Sequence, residues 1–520
     1  VLAACNYKEV KPMFKEQKGK YLYRRQYIAG PRFVSIFENG KHVRISEKFF
    51  LTAHPDLEIT EAHYRNGSIF MLGYIIDPVH PTYDNQQVMQ EVISTVKTAD
   101  EVFLKLADKC GRFVVIVNIQ DDFRIFSDAC GTRQVFYHTD KTGAVWCSSQ
   151  PHLIAKQLGI EVDESIKNDL HAATLFKTEE HWYPGIITLF TDIFHLTPNH
   201  YFDISAKKTV RYWPTELLNP LSITECIPLV SAILSGIIQG AEHRFNLAFA
   251  VSCGLDSRTL LSTSKKVSER IHFFTQTEKS AIDHDPDVLI PKALFKQLGL
   301  KHDIVVLPDT LDEGFKDIMQ ENVFTARVVK GLNAISIHDH FKNNNKEVVV
   351  LYGNCSEITK RDRFRFPKTP TFLLSGAALA AMAQMSRSTL AVHEFAKWLS
   401  PVKKLTKYNI DILDLMHWEQ RVGNWGAMTF SEYEMVFESL CPYSCRKYIE
   451  YMLRVPFKYR TKPDYRLHHE IIAANWPETL KQEINPEKNR LKKSIEDFLY
   501  KTSIYDPIKF AYLMLRKRYK

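Results

Sequence analysis

The stretch N-L-A-F-A-V-S-C-G-L-D-S-R-T-L-L, from Asn246 to Leu261, passes from an apolar run straight into Ser252-Cys253-Gly254-Leu255-Asp256-Ser257-Arg258. A helical pattern follows. Small residues at a strand-to-helix junction leave the first N–H groups of the helix unpaired, and the helix dipole adds positive potential there. The junction can therefore hold an anion. Gly254 permits close backbone approach, and Ser252 and Ser257 add hydroxyl donors. Arg258 is placed either to meet a phosphate bidentately or to lie on the helix surface. Asp256 cannot bind phosphate directly, because like charges repel. It makes sense as a ligand of a Mg²⁺ ion that bridges phosphate oxygens. The stretch lacks the lysine of G-x-x-x-x-G-K-[ST], and the same residues would also serve a tight turn with an N-cap.

Such a junction needs a frame that presents it. Beyond a polar connector over 203–222, the pattern reads as an amphipathic helix over 225–241 and a strand over 246–252. A strand over 271–277, a helix ending at Gly299, and strands over 302–307 and 347–353 follow. Strands alternating with helices predict a parallel doubly wound sheet, whose ligands sit beyond the carboxyl ends of the strands. After Gly376 the chain reads as mostly helical. The first two hundred residues carry aromatic and β-branched runs at 33–37, 68–76, 111–119 and 123–128, with helical spacing over 87–96 and 99–109. This half predicts an α+β sandwich.

A chain of 520 residues exceeds one hydrophobic core, so two or more domains are expected. With 45% apolar and 25% charged residues it is an ordinary globular sequence. A net charge of +8 is mild at this size and does not argue for nucleic acid. The nine cysteines form no C-x-x-C pair and read as reduced thiols of a cytosolic protein. No apolar run approaches the ~20 residues of a spanning helix. The opening V-L-A-A-C resembles the end of a bacterial lipoprotein signal with Cys5 acylated, but the charged and apolar segments of such a signal are not in the sequence. The pair His338 and His340 reads as surface, and His468 and His469 are not at ligand spacing.

Ser252 to Ser257 resembles S-G-G-x-D-S, the pyrophosphate loop of enzymes that adenylate a substrate and release pyrophosphate. Further matches follow in order. Asp287 lies twelve residues before Gly299, and His302 three after it. Gly353, Asn354, Cys355, Ser356 and Glu357 echo the acidic loop G-E-G-A-D-E, and Glu438 to Tyr443 echo E-x-R-x-P-F. In the first half Gly111, Phe113, Asp128, Gly131, Arg133 and Tyr137 fall on a G-x-F-A strand followed by R-D-x-x-G-x-R-P-L-Y-Y, and "AVWCSSQPHLIAK" is similar to f-A-S-E-x-K-x-L. The ordered set resembles the asparagine synthetase family. It implies a glutamine amidotransferase-like, Ntn-type α+β sandwich over 1–210. An α/β doubly wound parallel sheet of the adenine nucleotide α-hydrolase or PP-loop type over 220–520 would follow, with a helical C-terminal part.

The resemblance implies ATP and Mg²⁺ as cofactors. Ser252, Cys253, Gly254, Leu255, Asp256, Ser257, Arg258, Asp287 and Gly353 would bind the nucleotide, and Asp256 and Glu357 the metal. Glu438 would position an amine or act as base, and Lys488 would face the forming acyl-adenylate. The reactants would be a small-molecule or peptide carboxylate and an amine or ammonia, with neither nucleic acid nor membrane as partner; a homodimer is left open. The family pattern also breaks. Cys5 is internal here and followed by Asn, and Leu72 stands where an oxyanion asparagine would be, so glutaminase activity is expected to be absent. The first half thus looks closer to β-lactam synthetase or lasso-peptide cyclase members. Cys253 replaces a glycine, the acidic loop has lost one carboxylate and a glycine, and Leu440 replaces the arginine of E-x-R-x-P-F. Two alternatives stand beside the amide-forming synthetase: a non-catalytic binding or scaffold protein, and a glutamine-hydrolysing enzyme whose mature N-terminus is Cys5.

Overall fold

The structure is a computed structural model that describes residues 14, 18–65, 67–178, 180–327, 330–342, 347–361 and 371–486. In the first half two antiparallel six-stranded sheets face each other. One has Tyr27–Gly30 near its middle, flanked by Val145–Ser148 and Phe49–Ala53. The other centres on Cys110–Ile119, flanked by Gly67–Ile76 and Asp122–Ser127. Side chains alternate between the faces of a strand. Phe70 and Leu72 therefore enter the layer between the sheets, while Ile69, Met71 and Ile75 meet the helices Asn85–Thr95 and Ala99–Lys105. On the opposite outer face Ile28, Phe136 and Trp146 pack on the helix Pro151–Leu158. The layers run helix, sheet, sheet, helix. Because both faces of each central strand are buried, these strands read as continuous apolar runs.

The second half holds a five-stranded parallel sheet in the order His302–Val306, His272–Thr277, Asn246–Ala250, Val348–Leu351, Glu438–Leu440. From Asn246–Ala250 the chain steps outward twice, then returns to the other side of that strand. The order reverses between Asn246–Ala250 and Val348–Leu351, where open sheets leave a crevice.

The helix Ile223–Arg244 joins the two halves. Ser222 and Glu225 form a capping box at its start. Its 22 residues, with mean hydropathy 1.5 over the most apolar window, are long and apolar enough by length and composition to cross a membrane, contrary to the sequence reading. In this fold its apolar face is part of the core, with Val230, Leu234, Ile237 and Ile238 buried. Gly236 and Gly240 allow it to sit tight on the sandwich. A Cβ at Gly236 would lie 2.2 Å from the Pro78 carbonyl oxygen, and one at Gly240 2.7 Å from Ile76.

Two local expectations change. The run 33–37 is not a strand: Val34 and Phe37 are buried as loop plugs, Phe33 is exposed, and the Val34 N–H donates to Thr52 Oγ1 at 3.2 Å. Apolar content alone did not pair this segment with a neighbour. Conversely, the three-residue strand Glu438–Leu440 is too short to show a period.

Burial holds His54, His152 and His195 at about 4, well below the ordinary histidine value. A group depressed in the folded state contributes stability above its unfolded pKa and loses it as pH falls. The melting temperature should therefore hold steady above pH 7 and fall progressively as pH drops from about 6.5 toward 4. Calorimetric scans across that range check this, and a midpoint unchanged between pH 7 and pH 5 contradicts it.

Candidate functional site

The strand Asn246–Ala250 ends in the loop 251–254, and the helix Leu255–Thr263 begins at the crevice. Gly254 is the N-cap residue, so no side chain caps this helix. The loop is braced from within: Ser257 Oγ donates to the Ser252 and Gly254 carbonyls at 3.0 and 3.2 Å. The Gly254 N–H donates to Ser252 Oγ at 3.1 Å. Both hydroxyls that the sequence offered to a ligand thus also shape the loop. The Cys253 N–H donates to Asp287 Oδ1 at 2.9 Å, so Asp287 reaches the loop as a brace. Burial pushes the Cys253 thiol up to about 12, keeping this replacement of a glycine neutral.

Gly353 crosses close beneath the helix start. A Cβ there would lie 3.3 Å from Asp256 Cβ and 3.4 Å from the Ser257 nitrogen. Cys355 adopts φ +67°, the left-handed conformation that a glycine of the resembling loop would take without strain. The segment then turns into the short helix Glu357–Lys360, which faces Asp256. Lys360 Nζ lies 2.6 Å from Asp256 Oδ1 and 2.8 Å from Oδ2, and Ser356 Oγ donates to Oδ1. Tyr443, fully buried, donates its hydroxyl to the Asp256 carbonyl at 2.8 Å. Burial, with the Asp256 charge adding to it, pushes the Glu357 carboxyl up from its ordinary value. Sequence reading brought Asp256, Gly353 and Glu357 to one place. It missed Lys360 and gave Ser356 and Tyr443, both in matched segments, no role; only the three-residue spacing from Glu357 to Lys360 hinted at a shared helix face.

This donor set does not fit Mg²⁺. The ion takes about six oxygen ligands in near-octahedral geometry. Here both oxygens of Asp256 already face an ammonium, which supplies the positive charge that a metal would.

Arg258 departs from both of its expected placements. It is fully buried on the far side of the helix, where its guanidinium donates to the carbonyls of Thr479 at 2.5 Å, Gln482 at 3.0 Å and Glu483 at 3.4 Å. Burial lowers it to about 10. It ties the C-terminal chain to the loop, and the Asn485 N–H completes the tie by donating to the Cys253 carbonyl at 3.1 Å. Lys488 lies outside the described residues, as does Cys5. The other residues matched by spacing serve the fold: Gly299 ends its helix at φ +70°, and His302 bonds Thr275 Oγ1 at 2.9 Å. A cavity of about 500 Å³ opens at the carboxyl ends of the outer strands, lined by Glu278, Lys279, Ser280, Leu307 and Asp309.

Glu438 is not placed as a base. It lies between the halves, with Arg112 Nη1 at 2.6 Å, Arg133 Nη2 at 2.9 Å and Arg25 Nε at 3.6 Å. Burial alone would raise its carboxyl, but the Arg112, Arg133 and Arg25 charges outweigh it and hold the group at about 2. Such a carboxylate is a poor proton acceptor near neutral pH. Buried Glu434 adds a second carboxylate to Arg112. Asp128 aims Arg133 at this cluster: it accepts from the N–H groups of Thr132 and Arg133, both at 2.9 Å, and from Ser444 Oγ at 2.9 Å. In the sandwich Leu72 is fully buried in the apolar layer between the sheets, without a donor for an oxyanion. Cys110 is buried, and its thiol donates to the Cys441 carbonyl at 3.4 Å.

Glu438→Ala would leave guanidiniums facing one another in a buried interface. It should cost about 3–5 kcal/mol of stability, read from denaturant unfolding of the full chain. A loss below about 1 kcal/mol, the range of surface pairs, would contradict this role.

No family model matches the chain, and no curated protein matches it. Among solved structures it is similar to a glutamine phosphoribosylpyrophosphate amidotransferase from B. subtilis complexed with ADP and GMP. The identity is 9%, covering 68% of this chain and 75% of that one, with TM-score 0.23. An allosteric regulatory enzyme of purine biosynthesis matches at 9% identity over 66% of this chain and 72% of that one, with TM-score 0.24. A glutamine-dependent NAD⁺ synthetase from Acinetobacter baumannii in complex with ADP matches at 12% identity over 59% and 82%, with TM-score 0.20. Likenesses at these TM-scores carry no functional argument.

Proposed function

We propose that the chain is an ATP-dependent amide-bond-forming synthetase. The observation that supports this most is the uncapped start of the helix Leu255–Thr263, set at the strand-order reversal with Gly254 and Gly353 on either side. The first-turn amides of Leu255, Asp256 and Ser257 have no partner within the helix, and the dipole favours phosphate there. A carboxylate substrate would attack the α-phosphorus, giving an acyl-adenylate and pyrophosphate. Ammonia or an amine would then displace AMP. Asp256 would act by anchoring Lys360 and Ser356 beside the phosphates.

A second reading, a nucleotide-binding relative without catalysis, draws support from Glu438. Its engagement with three arginines leaves that carboxylate no part in moving protons. Calorimetric titration with ATP tests the binding claim common to both readings. Pyrophosphate release across a panel of carboxylates with ammonia separates them. With a working carboxylate, Asp256→Ala should lower the rate by on the order of 10²-fold or more, the scale of losing a preorganised electrostatic group. Undiminished turnover in that variant would overturn the synthetase assignment.

A further inference from the structure

We infer that a small cavity between the sandwich and the second half binds one internal water, held by His195 Nε2 and Thr325 Oγ1. The site shares no residue with the Ser252–Ser257 loop and stands independently of the nucleotide reading.

His195 pairs with Phe136 in a sandwich sheet, and the two rings lie 4.9 Å apart, centre to centre. The residue is 1% exposed. Its neighbour fixes its tautomer. Asn424 Nδ2 donates to the Gly185 carbonyl at 3.0 Å, which turns Asn424 Oδ1, an acceptor only, to His195 Nδ1 at 2.8 Å. Nδ1 therefore carries the proton, and Nε2 presents a bare lone pair. Burial lowers this imidazole to about 4, so it stays neutral at pH 7.

Among the described residues neither His195 Nε2 nor Thr325 Oγ1 has a hydrogen-bond partner, and both atoms are buried. Both residues line one cavity of about 10 Å³, with Phe136, Phe324 and Met428 among its apolar walls. The Thr188 hydroxyl, also at this cavity, is already engaged with the Phe190 and Ile193 carbonyls at 3.3 and 2.8 Å. Leaving a buried acceptor without a donor is costly, and buried polar groups in folded chains nearly always find a partner. The volume suits a single water and excludes a larger ligand, and about two polar partners are enough to hold one. The water donates to His195 Nε2 and bonds the Thr325 hydroxyl. His195 belongs to the sandwich, and Thr325 follows the helix Glu313–Asn322 of the second half. The water thus joins the two halves by hydrogen bonds where no direct polar contact does so for these two side chains.

The test is a diffraction structure of the full-length chain, read together with ring-nitrogen NMR spectra of its histidines. The wild type should show a solvent peak at about 2.7–3.2 Å from both His195 Nε2 and Thr325 Oγ1. At pH 7 the His195 signals, assigned by their loss in His195→Gln, should show the Nδ1–H tautomer. Thr325→Val keeps the shape of the side chain and removes one partner of the water. It should lose the solvent peak and shift the Nε2 resonance, while the Nδ1 resonance held by Asn424 stays in place. A wild-type cavity without the peak overturns the inference. A direct bond between His195 Nε2 and Thr325 Oγ1 also overturns it, because it leaves the water no role. So does the Nε2–H tautomer, or a Thr325→Val chain that keeps the peak at full occupancy.

Discussion

The architecture depends on a buried cluster of opposite charges between its halves. Arg25, Arg112 and Arg133 come from the sandwich, Glu438 from the edge strand of the parallel sheet, and Glu434 from the end of the short helix Thr429–Tyr433 just before it. Charges removed from water are tolerable only when each finds its partners in good geometry. A shift of one half against the other by even part of a residue would strand a guanidinium or a carboxylate. The cluster therefore acts less as glue than as a register mark. Neighbouring contacts read the same register: Tyr74 donates its hydroxyl to the Ser439 carbonyl at 2.6 Å, and Gly73, at φ +103°, leaves room for the Arg112 carbonyl and Arg133.

From that edge strand the influence reaches the loop. Just past Glu438–Leu440, Tyr443 supports the Asp256 carbonyl and Ser444 bonds Asp128 of the sandwich. Asp287 holds the Cys253 amide from a third element, and Arg258 draws the C-terminal chain across the base of the helix. A loop held from so many sides has little freedom to reshape around a ligand. Preorganisation of this kind costs stability during folding and lowers what binding must supply.

In the sandwich, residues that match an amidotransferase strand and turn also serve the interface with the parallel sheet. Asp128, Gly131 and Arg133 match positions of an amidotransferase strand and turn, yet here they form a small hydrogen-bonded loop that delivers Arg133 into the interface. With Leu72 in the apolar layer between the sheets, the half serves in this structure as the platform against which the parallel sheet is set.

Local chemistry made much of this legible from the chain alone. Aromatic and β-branched runs, helical apolar spacing, the helix stop at Gly299 and the small residues after Asn246–Ala250 are short-range signals, because neighbouring residues alone satisfy them. They placed the central strands and the loop. What they could not reveal was which distant side chain would meet which. Arg258 could be a phosphate ligand or a surface residue until Thr479, Gln482 and Glu483 offered it carbonyls some two hundred residues away. Glu438 could be a base until three arginines from the other half surrounded it. Asp256 could hold a metal until Lys360 arrived across the crevice. A charged group's role is set by its partners and its burial, and only the tertiary structure supplies either.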